Sequence, residues 1–137
     1  MKEVCMELAP NTKASSIDEY KKVISEHLPE FIEESAICYG HNLQFEPWSI
    51  WSTDKNPEWW RQHNKVKHQR NDFYHQATLR NVLEALAALY LVNVYLEHVK
   101  LKESSQGMIQ HVSDSIQHVP IQLDFYRINH MMAYMHE

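Results

Sequence analysis

Residues 85–96, Ala-Leu-Ala-Ala-Leu-Tyr-Leu-Val-Asn-Val-Tyr-Leu, constrain this chain more than any other stretch. The block is too long for an ordinary strand and apolar almost all round. As a helix it must be buried on several sides, or on one side by a second subunit. The spacing predicts a helix from Leu79 to about Lys100, with Thr78 as N-cap and with Lys100 and Lys102 placed to suit the C-terminal dipole. The longest unbroken apolar run, Ala85 to Val92, is far shorter than the ~20 residues of a membrane span. A core helix of a protein without a membrane segment is therefore expected.

A core helix needs partners, and the composition favours more helices. The chain has 137 residues, enough for one domain over residues 1–137 with a single core. It contains only two glycines, too few for the tight turns of an all-β sandwich or barrel, and no phosphate-cradling glycine loop. The fold class expected is all-α, a helical bundle with an irregular or short-strand connection around residues 36–56. Cys5 and Cys38 form no CxxC pair, and the opening MKEVCMELAP lacks the apolar centre of a secretory leader. A cytoplasmic location with reduced thiols follows as an expectation.

Along the chain, residues 1–15 carry no strong pattern and read as a loose N-terminal arm. Ser16 and Glu19 have capping-box spacing ahead of an amphipathic helix from Ile17 to Leu28, and Pro29 opens a second helical piece over Glu30 to Ser35. Ala36 to Tyr39 and Leu43 to Phe45 read as short strands around Gly40–Asn42. The tryptophans Trp48, Trp51, Trp59 and Trp60 read as core in preference to base-stacking platforms. Asn56-Pro57 marks a helix start, with Asn56 as N-cap and a helix to about Arg70. After a break at 104–107, Phe125, Ile128, Met131, Met132 and Met135 suggest a last helical face.

Charge is unevenly spread. Residues 61–75 hold Arg61, Lys65, Lys67 and Arg70 against Asp72 alone, a local +3. The net charge is −5, so the rest of the chain carries −8. Such a balance disfavours wrapping of long nucleic acid but allows a local anion site. On a continuous helix, Trp59, Val66 and Phe73 share one face as the core contact. Arg61, Asn64, His68, Asn71 and His75 form a polar stripe on the opposite side. A solvated face favours Glu and Lys, whereas this stripe gathers imidazole, guanidinium and amide groups suited to a phosphodiester.

The block WWRQHNKVKHQR followed by ATLRNVLEALAALYLVNVYL resembles small bacterial HEPN-type helical proteins. Their pattern is Trp-Trp, then Tyr or His before Asn, Ile or Val, Lys-His and Arg, followed by Ala-x-Leu-x-Asn and a long apolar helix. The likeness covers about residues 45–98. It implies a HEPN-like helical bundle that forms a homodimer, with RNA as substrate and an antitoxin or defence-system protein as partner. It further implies metal-independent ribonuclease chemistry in a bacterial defence or toxin–antitoxin system, with no cofactor and no metal.

The family signature is Arg, four to six residues, then His, the two facing each other across the dimer seam. Two registers fit. Arg70-Asn71-Asp72-Phe73-Tyr74-His75 matches literally, although on a continuous helix Arg70 and His75 point about 140° apart. In the other, His63-Asn64-Lys65-Val66-Lys67-His68, a histidine stands where the family has Arg. The candidate catalytic residues are therefore Asn64, Lys67, His68, Arg70 and His75. The other reading of the same residues is a non-catalytic dimerisation or interaction module with a degenerate motif. Metal chemistry is set aside because no HExxH occurs and only Asp72–His75 has carboxylate–histidine spacing. Ser or Cys nucleophilic chemistry is set aside because GxSxG is absent and neither cysteine has a basic neighbour in sequence.

Overall fold

A computed structural model describes residues 1–38, 41–104, 111–112 and the backbone of 126–128. The chain is mainly helical. Helix α1 spans Lys2–Leu8, α2 Ile17–His27, α3 Glu58–His68, α4 Arg70–Phe73 and α5 Leu79–Ser104. Strands β1 (Ala36–Cys38), β2 (Leu43–Phe45) and β3 (Tyr126–Ile128) form a small sheet in the order β2-β1-β3, antiparallel throughout. Cys38 pairs with Leu43 at the hairpin end of the two strands. Asn42 takes φ 50° there, a left-handed conformation that Asn tolerates better than most residues.

Helix α5 is the axis of the core and packs against α1, α3 and β1. Ala87, Leu91, Val94, Tyr95 and His98 recur at helical spacing and are buried. Phe31 stands edge-on to Tyr95 with ring centroids 5.1 Å apart, and Trp48 lies 5.6 Å from Phe31 and 4.5 Å from Trp51. Trp48 also donates its indole N–H to the Ala88 carbonyl at 3.4 Å. Trp48 and Trp51 are thus core residues, as expected. The expected strands flank the hairpin turn. The Ser16–Glu19 capping box is present, and the Thr78 hydroxyl accepts from Asn81 N–H at 3.2 Å.

Five expectations are corrected. Residues 2–8 are not a loose arm: α1 buries Val4 and Cys5 and packs on α5. The helix has only 7 residues, too short for amphipathic spacing to stand out in the sequence. The piece after Pro29 is a single 3-10 turn, Pro29–Phe31. Asn56 does not cap α3: the N-cap position falls to Pro57, which has no side chain to cap with, and the Asn56 amide N–H donates to Asp18 Oδ1 at 2.9 Å. The helix from residue 57 ends at His68, with Gln69 at φ −138° closing it and α4 restarting at Arg70. Residues 126–128 form a strand rather than part of a helical face; Phe125, Met131, Met132 and Met135 lie outside the described residues, as do Tyr39 and residues 105–107.

By length and composition α5 is apolar enough to cross a membrane, with a mean hydropathy of 1.4 over its most apolar window. Buried core helices share that composition, and half of this window is buried inside the fold. The burial is uneven along the helix. Its middle, from Ala87 to Val99, carries the buried residues, whereas Leu79, Val82, Leu86 and Leu89 form an exposed stripe at spacings of three, four and three.

Candidate functional site

The basic segment occupies α3, α4 and a 3-10 turn, Tyr74–Gln76, beside the N-terminal half of α5. α3 is anchored by its tryptophan pair. Trp59 donates to the Pro47 carbonyl at 3.0 Å and meets Trp48 edge-on at 5.3 Å. Gln62 links α3 to α5 by accepting from Asn81, whose amide also donates to the Gln76 carbonyl at 2.8 Å. Asn81 therefore ties the start of α5 to both α3 and the connecting turn.

The expected core face of α3 is only partly enclosed, since Trp59, Val66 and Phe73 are all half-buried. Lys65 places its ammonium 5.5 Å from the centre of the Phe73 ring, across the break at Gln69. No glycine or proline marks that break. The stripe from Arg61 to His75 is consequently not continuous. Arg61, Asn64 and His68 share α3, Asn71 belongs to α4, and His75 to the 3-10 turn.

Among the five candidate site residues, Asn64 is half-buried on α3, and Lys67 and His68 are exposed in its last turn. Arg70 opens α4 and is exposed, as is His75, whose ring contacts Phe73 and Tyr74. No hydrogen bond or ion pair joins these five to one another among the described residues. Arg61, by contrast, is engaged by Glu58 one turn earlier. Lys65, Lys67 and His68 in the last turn of α3 also suit the negative end of its dipole.

Two cavities flank α3. On the Trp59 side, a groove of about 340 Å³ runs between α3 and α5, lined by His63, Val66, Val82, Leu86 and Leu89 among others. The histidine that meets this groove is His63, not His68 or His75. The i, i+4 relation of Trp59 to His63 was the available signal, since it places both on one helical face. On the Trp60 side lies an aromatic pocket of about 500 Å³. Among the described residues, no three of His, Cys, Asp and Glu are grouped to hold a metal ion. No family model, no curated protein and no solved structure matches this chain.

Proposed function

We propose that this chain is a HEPN-like cytoplasmic protein of a bacterial defence or toxin–antitoxin system, acting on RNA as a metal-independent ribonuclease when two copies associate. The observation that carries the reading is the exposed set Lys67, His68, Arg70 and His75, without mutual pairing, beside the exposed apolar stripe of α5. A second copy laid on Leu79, Val82, Leu86 and Leu89 would remove that stripe from water and bring the partner's basic segment near this one. In such a seam His68 or His75 takes the proton of the ribose 2′-hydroxyl as its oxygen bonds to phosphorus, the bond from phosphorus to the 5′-oxygen breaks, water protonates that leaving oxygen, and Arg70 with Lys67 stabilises the charge that develops on the phosphate. The 2′-hydroxyl is an internal nucleophile, so its attack benefits from proximity. An antitoxin or another defence protein is the proposed regulator.

A second reading, a non-catalytic dimerisation module, is favoured by the exposure of His68 and His75 and by their lack of mutual contact within one chain. Labelled RNA incubated in EDTA with wild type and with His68→Ala, Arg70→Ala and His75→Ala separates the two. The enzyme reading expects cleavage that falls at least a hundredfold in one or more variants. Intact RNA across a broad panel leaves the module reading standing.

A further inference from the structure

α3 lies between two cavities, and the one on the Trp60 side has a different character from the α5 groove. Its floor carries Trp48 and Trp51, and Tyr20 and Trp60 line it as half-buried residues. Ser15, Ser16 and Asp18 supply its polar side chains. Its volume of about 500 Å³ falls within the roughly 300–1,000 Å³ of small-molecule sites. Trp51 is 2% exposed, and its indole N–H has no acceptor among the described residues.

Helix phase connects this pocket to the basic segment. Trp60, Asn64 and Lys67 stand at i, i+4 and i+7 on one flank of α3. Seven residues of helix advance about 10 Å, the reach of a nucleotide and its neighbouring phosphate. A ring held against Trp60 would thus carry its phosphate toward Asn64 and Lys67.

We propose that the Tyr20–Trp48–Trp51–Trp60 pocket is a nucleobase site, which seats one base of single-stranded RNA while its backbone follows the Asn64–Lys67 flank. The inference rests on the RNA-directed reading of α3 and adds to it where a base is held. Aromatic faces accept any base by stacking. Asp18 supplies an acceptor for an exocyclic amine. An organic cation is the other ligand that aromatic walls attract. Asp18 would favour it, whereas the local positive charge of α3 favours a ligand that carries a phosphate.

The test uses the full chain, with adenosine 5′-monophosphate as probe and indole fluorescence as readout. Saturable quenching is expected, with affinity reduced about tenfold by Trp60→Leu, which keeps apolar volume but removes the stacking face. Tyr20→Ala serves as a second wall variant, and circular dichroism verifies that each variant is folded. Adenosine should bind more weakly than the monophosphate, and Lys67→Ala should erase that difference. Absent saturation at millimolar nucleotide, unchanged affinity in both folded wall variants, or quenching by tetramethylammonium in place of the nucleotide overturns the proposal. Nucleotide binding without RNA cleavage keeps the pocket and removes the nuclease; cleavage without nucleotide binding does the reverse.

Discussion

Glu34 is 4% exposed, yet its carboxylate is well supplied: Ser35 N–H donates to one oxygen at 3.1 Å and the Tyr95 hydroxyl to the other at 2.9 Å. Burial, then the charge of Glu34, drives the Tyr95 hydroxyl far above its ordinary pKa, so it remains a donor at any working pH. Tyr95→Phe deletes that donor from a buried charge and should cost about 1–3 kcal/mol in urea unfolding. Glu19 makes a pH-dependent contribution. Hydrogen bonds from Ser15 and Ser16 hold its carboxyl below the usual range. The unfolded chain therefore takes up this proton first. The stability involved is complete above the ordinary carboxylate pKa and is lost as pH falls through the lowered one. Glu19→Gln should flatten the acid limb of the stability profile, measured as the urea midpoint from neutral pH downward. An acid limb as steep as that of wild type would show that the capping carboxylate does not govern it.

Within α5, the division between a buried face over Ala87 to Val99 and an exposed apolar stripe gives two opposite expectations for single changes. Ala87 and Ala88 are 0% and 1% exposed, where the helix comes close to its neighbours. Ala87→Leu would overpack that contact and should destabilise by roughly 1–3 kcal/mol, seen as a lower thermal midpoint. Leu89→Glu falls on the exposed stripe, so the single chain should unfold at nearly the same denaturant concentration. If that stripe is the seam between copies, the same substitution should convert the dimer to a monomer in light scattering. A wild-type chain that is monomeric at micromolar concentration removes the seam altogether. In α3 the decisive feature is its end at Gln69, which separates Arg70 and His75 from Asn64, Lys67 and His68.

Across the whole molecule, closure of the core depends on contacts distant in sequence. α1 returns to α5 and buries Cys5, while β1 buries Cys38 against the same core. Burial raises both thiol pKa values, so neither is a ready nucleophile. Alkylation of the two thiols should therefore follow the rate of unfolding, and α1 should protect Cys5 as fully as the sheet protects Cys38. Rapid labelling of Cys5 alone, in native buffer, would show that α1 leaves the core easily. Val4→Ala, which opens a gap where α1 meets the core, should lower stability by about 1–3 kcal/mol.

The parts of this fold legible in the sequence are those governed by neighbours along the chain. The capping box at Ser16, the Thr78 cap, the strands flanking Asn42 and the long apolar helix each follow from local hydrogen bonding or from a period matched to one element. The candidate set Asn64, Lys67, His68, Arg70 and His75 was selected by the resemblance of the 45–98 block to a family signature. Tertiary packing decided the rest. α1 is a helix because α5 offers an apolar surface to Val4 and Cys5, and α3 begins one residue later than the sequence predicts, with Pro57 in the N-cap position and the Asn56 amide turned to Asp18. The α3 break at Gln69 has no local sequence marker, and with it the expected stripe divides among three elements. Where His63 and Trp60 open onto two separate cavities was likewise decided only when α3 packed between its neighbours. A side chain's type and phase are local properties, whereas the surface it meets is set by the elements packed around it.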